Sequence, residues 1–266
     1  MIPVLFRIGP FTVYSFGTLM ALAAVVGGFI AWLELKRYHY DSELASSLVF
    51  AGAIGGLLGA RILFILEEWS AFIRSPWDFI LTGAGFTWYG GVIGGVLAAT
   101  WVVRRAGIPW LKAADICAPA LALAYGVGRI GCHVAGDGDW GIETTMPWGV
   151  AYTKAIIGWV HPVTGIPYPP GVRVHPTPIY EFLEALVVFG ILWPLRKKDY
   201  PDGTIFWLYL ILSGIARFVV EFWRINPPIA AGLTEAQWFS VGTIVLGAGL
   251  LYLQPRRLAR SNASRY

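Results

Sequence analysis

The chain has 266 residues, 56% hydrophobic and 14% charged, with mean hydropathy +0.61. A soluble domain carries about 25% charged residues, so this composition leaves too little polar surface for a globule in water and points to solvation by lipid. Thirteen Trp and 32 Gly suit spanning helices and their interfaces, and two cysteines, Cys117 and Cys132, are too few for a disulfide framework and lack zinc-ligand spacing.

Seven apolar stretches can each cross roughly 30 Å of hydrocarbon, which takes about 20 helical residues. They fall near 11–35, 45–66, 86–103, 111–130, 179–195, 203–223 and 236–253. The first is longer than the apolar core of a signal peptide, so no cleavable signal is expected. The piece 69–82 is too short to cross and reads as an interfacial helix. The long connection 131–178 is expected to form a small ordered extracytoplasmic segment, since it lacks the polar low-complexity character of disorder. No ten-residue alternation suggests a barrel. The expected architecture is an all-α polytopic membrane protein with a single membrane domain over 1–266.

Charge gives the orientation. Lys36, Arg37, Arg104, Arg105, Lys112, Arg196, Lys197, Lys198, Arg256, Arg257, Arg260 and Arg265 would share one side, against Arg7, Arg74, Lys154 and Arg173 on the other. The positive-inside rule then places the N-terminus outside and the C-terminus in the cytoplasm. Topology accounts for the basic balance, so no nucleic-acid partner is expected.

Arg61, Arg129, Arg217 and Arg224 remain, inside or at the ends of spans. An arginine in mid-membrane costs a few kcal/mol or more and normally faces a partner or a wet cavity. Arg217, Glu221 and Arg224 are spaced i, i+4, i+7 on one helical face. An ion pair Arg217–Glu221 that holds the bundle together is one reading, but it leaves the other arginines unneutralised. Glu67, Glu68, Asp115, Glu181 and Glu184 are the other acids within reach. Surplus guanidinium groups facing a cavity suit an anion, and their fork matches phosphate oxygens.

Glycines 52, 55, 56 and 59 in the second span, and 90, 91, 94 and 95 in the third, make overlapping GxxxG patterns that serve close helix packing. The step Tyr89-Gly90-Gly91 also offers a place for backbone to approach a ligand. The run from Gly126 to Gly141 reads as a glycine-rich turn with polar ends, carrying Arg129, Cys132, His133, Asp137 and Asp139 on flexible backbone. Its Asp-Gly-Asp lacks the remaining ligands of a calcium loop, and no metal is expected. In His175-Pro-Thr-Pro-Ile-Tyr-Glu181, Glu181 is expected in the first turn of the fifth span, where a carboxylate suits the helix dipole.

In order, Ile8-Gly-Pro10, Gly59-Ala-Arg61, Gly90-Gly91, Gly128-Arg-Ile-Gly131, His175-Pro176 with Tyr180-Glu181, and Arg217-Phe-x-x-Glu-Phe-x-Arg224 resemble the prolipoprotein diacylglyceryl transferase family over nearly the whole chain. The resemblance implies a bacterial inner-membrane enzyme without metal or organic cofactor. Such an enzyme moves the diacylglyceryl group of phosphatidylglycerol to the lipobox cysteine thiol of a preprolipoprotein, releasing glycerol 1-phosphate. It implies Arg129 and Arg217 as phosphate-holding residues, supported by Arg61, Glu221 and Arg224. Gly90 and Gly91 are expected against the lipid as well, and His175, Glu181 and Asp115 are expected as supporting residues. The arginines are expected to converge near the outer face.

The chain departs from the family where Tyr89 replaces a common histidine, Phe16 aligns with a common tyrosine, and Cys132-His133 replaces Asn-Phe. His133, Asp137 or Asp139 is therefore expected to take the thiol proton, with Tyr89 as a hydrogen-bonding residue. Two other functions fit parts of the pattern: a non-catalytic phospholipid-binding relative, and an anion transporter, against which the absence of an internal repeat counts.

Overall fold

In the computed structural model, which describes residues 1–81 and 85–254, the chain opens on a hairpin of β1 (Val4–Ile8) and β2 (Phe11–Tyr14). Gly9, at φ +58°, makes its turn with Pro10. The long helices are α1 (Ser15–Arg37), α2 (Leu44–Glu67), α5 (Trp88–Arg105), α6 (Trp110–Ala135), α7 (Thr177–Leu195), α8 (Thr204–Val220) and α9 (Glu235–Leu253). Short helices α3 (Trp69–Phe72) and α4 (Pro76–Leu81) follow α2, and a second hairpin, β3 (Pro228–Ala230) with β4 (Leu233–Thr234), precedes α9. Among the described residues, α1, α2, α6, α7, α9 and α8 with its 3-10 extension are long and apolar enough to cross a membrane. The remaining stretch, 86–103, forms α5, whose 18 residues include paired glycines and a terminal Arg104-Arg105 that dilute its apolar character.

Four expectations need correction. Residues 11–14 pair as a strand, because Ser15 caps the hairpin through its N–H and Oγ to Pro3 O (2.9 and 3.2 Å) before helix begins. The two hairpins also add small sheets to an otherwise helical chain. The fourth helix runs on to Ala135, so Arg129, Cys132 and His133 stand on helix and not on a flexible turn. Finally, α7 begins at Thr177, which moves Glu181 out of its first turn. Arg256, Arg257, Arg260 and Arg265 lie outside the described residues.

Two compact units are present, one made of residues 1–27 with the chain from Ala114 onward, the other of Gly28–Ala113. In the second, α2 and α5 lie backbone to backbone. A Cβ on Gly55 would stand 2.7 Å from Gly94 O, and one on Gly59 or Gly90 would run into the other helix's main chain. Thr87 N–H and Oγ1 both donate to Ala60 O (3.2 and 3.0 Å), fixing where α5 starts.

In the first unit, Ala118 and Ala122 of α6 meet Val188 and Leu192 of α7 and Ile205 of α8. Gly126 of α6 admits Ala185 and Phe182 of α7; Gly128 and Gly131 face Met20, Leu19 and Phe16 of α1. The motif glycines thus let α1 and α7 close around the helix that carries Arg129. Asp115 has a different setting from the arginines. Its two carboxylate oxygens accept from Gly203 N–H (2.6 Å) and Phe206 N–H (2.9 Å), capping α8 from a neighbouring helix. Asp115→Ala leaves those N–H groups unsatisfied and is expected to cost about 1–3 kcal/mol, read as a lower thermal midpoint in detergent, while Asp115→Asn recovers part of it.

Beyond α6 the connection to α7 builds its own small core. Trp140 stacks on Tyr152 (4.9 Å), and Trp159 meets Tyr168 (4.4 Å), around fully buried Val174. Gly141 N–H donates to His175 O (2.8 Å) and Ile142 N–H to Trp223 O (2.9 Å), tying this segment to the ends of α7 and α8.

Candidate active site

Glu181 is the centre of the arginine cluster. Its side chain is 1% exposed, although α7 presents it among apolar residues. A carboxylate so buried must be paired, and it is paired three times: with Arg129 Nε (3.1 Å), Arg217 Nη1 (2.9 Å) and Arg224 Nη1 (3.4 Å). Tyr125 OH, one helical turn before Arg129, donates to Glu181 Oε1 (2.9 Å) and accepts from Arg129 Nε (3.1 Å).

Glu221 supports the cluster from the 3-10 turn Glu221–Trp223 that ends α8. Its Oε2 lies 2.8 Å from Arg217 Nη2 and 3.7 Å from Arg224 Nε. Its other oxygen accepts from Asn226 Nδ2 (2.6 Å) and from the Oγ1 of Thr234 (2.8 Å), the residue that caps α9. The i, i+4 pairing of Arg217 with Glu221 thus exists, inside a larger network.

The third acid is Asp139, on the loop after α6. One oxygen pairs with Arg129 Nη1 and the other with Arg224 Nη2 (2.8 Å). Burial pushes this carboxyl up, but the guanidinium groups of Arg224 and Arg129 outweigh it and bring it down to about 2. Three arginines therefore face three carboxylates, and the cationic surplus expected from the sequence is neutralised inside the chain.

Other candidates surround this core. Asp137 is held above its ordinary value by burial and then by the charge of Asp139. Cys132, Asp137 and Asp139 bring ligand atoms within 4.8 Å of one another, but Arg129 Nη1 already lies on Asp139 and 3.6 Å from Cys132 Sγ, a positive charge where a cation would sit. His133 Nδ1 is 2.9 Å from Tyr152 OH. His175 Nδ1 is 2.9 Å from Tyr180 OH, which also accepts from Trp148 Nε1 (2.7 Å).

Arg61, Tyr89, Gly90 and Gly91 belong to the other unit. Arg61 Nη1 donates to Gly85 O (2.8 Å), and its guanidinium lies over Phe86 and Phe64 (5.4 and 5.7 Å). Tyr89 is 39% exposed and meets Trp88 edge-on at 5.2 Å. Gly90 and Gly91 lie on the α2–α5 seam, against Gly59 and Ala60.

In the sequence Glu181 reads as a supporting residue, and Tyr125 is not among the candidates. Helical spacing held a signal for the second: Tyr125 and Arg129 are i, i+4, as are Arg217 and Glu221.

The sequence model of the family described as prolipoprotein diacylglyceryl transferase matches residues 3–253. A protein of Clostridium tetani named phosphatidylglycerol–prolipoprotein diacylglyceryl transferase is 32% identical over 249 residues, covering 93% of this chain and 95% of its own. One of Coxiella burnetii with the same name is 33% identical over 273 residues, 97% of each. A Legionella pneumophila protein, also so named, is 28% identical over 248 residues, 91% of each. With a family match over residues 3–253, and relatives aligned over more than nine-tenths of each chain, this chain belongs to the prolipoprotein diacylglyceryl transferase family.

Proposed function

We propose that this chain transfers the diacylglyceryl group of phosphatidylglycerol to the lipobox cysteine of a preprolipoprotein, at the outer face of a bacterial inner membrane. The observation that carries the reading is the meeting of Arg129, Arg217 and Arg224 on Glu181, with Asp139 bridging two of them. In the reaction the substrate sulfur attacks the glyceryl carbon, a C–S bond forms and the C–O bond to phosphate breaks. The thiol proton passes to a base, and glycerol 1-phosphate leaves as a monoester. The phosphate goes from one negative charge toward two, so guanidinium donors fixed in advance favour the transition state over the bound lipid.

Arg129 and Arg224 are placed for the phosphate, and Arg217 holds Glu181 and Glu221 in position. The membrane topology we infer has α5 as the seventh span, with α2 packed along it, the N-terminus outside and the C-terminus in the cytoplasm.

For the proton, Asp137 is favoured, since burial and then the charge of Asp139 shift it upward, toward the pH at which it must work. Its proton is lost only above the ordinary carboxylate value, so transfer should fall on acidification earlier than an unperturbed aspartate would give. A pH–rate profile in which Asp137→Asn is slow and lacks that acidic limb supports the assignment; an unchanged profile removes it and leaves Asp139 and His133.

Complementation of a strain depleted of its own transferase tests the function. The wild-type chain should restore growth and lipoprotein maturation, while Arg129→Ala and Arg217→Ala should not. Failure of a well-expressed wild-type chain would favour a phospholipid-binding relative without activity.

A further inference from the structure

The geometry points to Asp139 as an internal anion that takes the phosphate position on Arg129 and Arg224 and is exchanged for the lipid when it binds. This rests on the phosphatidylglycerol reading above and adds how the site is held before substrate arrives.

The three acids of the cluster are not equivalent. Glu181 and Glu221 side chains are 1% and 0% exposed, and each is fixed by neutral groups as well as arginines: Tyr125 on one, Asn226 and Thr234 on the other. The Asp139 side chain is 32% exposed and stands outside any helix, after Gly136 and Gly138 at φ +66° and +99°. Its anchors are to the main chain: Thr177 Oγ1 donates to Asp139 O (2.6 Å), and Asp139 N–H donates to Asp137 Oδ1 (3.3 Å). Its carboxylate gives one oxygen to Arg129 and one to Arg224. A phosphodiester offers two non-bridging oxygens to the same pair of forks.

Charge makes the two occupants alternatives. Three guanidinium groups against two fixed carboxylates leave one positive charge, and both Asp139 and a phosphodiester carry one negative charge. Either neutralises the site. Both together would leave a surplus anion in a poorly hydrated setting, which is strongly disfavoured. Asp139 thus keeps Arg129 and Arg224 neutralised and spaced before the lipid binds, at the expense of competing with it.

The test is calorimetric binding of dihexanoyl phosphatidylglycerol to the full chain in detergent, without peptide. Asp139→Asn and Asp139→Ser should both bind more tightly, about tenfold if Asp139 holds the arginines about nine-tenths of the time. Asp139→Glu, which keeps the charge, should stay near wild type. Unchanged or weaker binding in folded Asn and Ser variants would overturn the proposal. Should neither variant fold, hydrogen exchange in the wild type decides. Amides of 136–139 should exchange faster when lipid saturates the site, and slower or equal exchange would overturn it. A chain that behaves as expected here but fails to lipidate peptide would sink the transferase reading alone.

Discussion

Replacing Glu181 by Ala should both destabilise the protein and nearly abolish transfer, the largest combined effect of any single change in the cluster. Three guanidinium groups and the Tyr125 hydroxyl converge on this one carboxylate, whose side chain is almost entirely enclosed. Removing one partner of a buried ion pair costs about 3–5 kcal/mol, because the remaining charge is left without compensation. The loss should appear as a lower unfolding midpoint in detergent. Chemistry should suffer through geometry and not through lipid affinity. With Glu181 gone the site is more cationic, so phosphatidylglycerol still binds, but Arg129 and Arg224 are no longer aimed. The expected signature is a fall in kcat with KM unchanged or lower, the mark of a positioning residue. Glu181→Gln, which keeps an acceptor for Tyr125 and one arginine, should be intermediate in stability and still slow. A folded Glu181→Ala enzyme with wild-type kcat would show that the cluster is structural scaffolding only.

The burial of Glu181 also shows where the sequence stops being informative. Its partners lie far along the chain, Arg129 of α6 52 positions before it, Arg217 of α8 36 after it and Arg224 43 after it, and a carboxylate in the early part of a span looks like a dipole-compensating end residue until those helices are placed. The arginines were legible because charge in an apolar run is costly whatever its partners are. The spans were legible for the same reason, through length and hydropathy. The N-terminal hairpin was not: residues 11–14 are apolar enough to merge with α1, and the switch is made by Gly9 and by Ser15 bonding back to Pro3. The run 126–141 likewise reads as a glycine-rich turn, yet up to Ala135 it is helix. There the glycines serve close contacts with α1 and α7 and the helix continues, since packing outweighs intrinsic propensity. Asp115 shows the limit from the other side. In the sequence it reads as one of the acids within reach of the arginines, yet it caps α8, a pairing that spans 88 residues.

Arg129→Lys should lower transfer by about 10²–10³-fold while leaving the protein folded and its charge unchanged, the range seen when one preorganised transition-state donor is lost. Arg129 uses its fork in two directions: Nε toward Glu181 and Tyr125, Nη1 toward Asp139 and Cys132. A lysine ammonium is a point charge on a flexible stem and cannot hold both sides at once. If it stays with Glu181, the phosphate loses its donor; if it reaches outward, Glu181 loses one of three partners. Because the charge is retained, any loss of rate reports geometry, and the ratio to Arg129→Ala separates the two contributions. Arg217 offers the control. Its two nitrogens face Glu181 and Glu221, both fixed carboxylates at 2.9 and 2.8 Å, and none faces Asp139. Arg217→Lys should therefore weaken stability more than it weakens phosphate contact, with the smaller loss of kcat. If single-turnover rates instead show Arg129→Lys near wild type and Arg217→Lys crippled, the phosphate sits on the Arg217 side of Glu181, and the assignment of Arg129 and Arg224 as its holders is wrong.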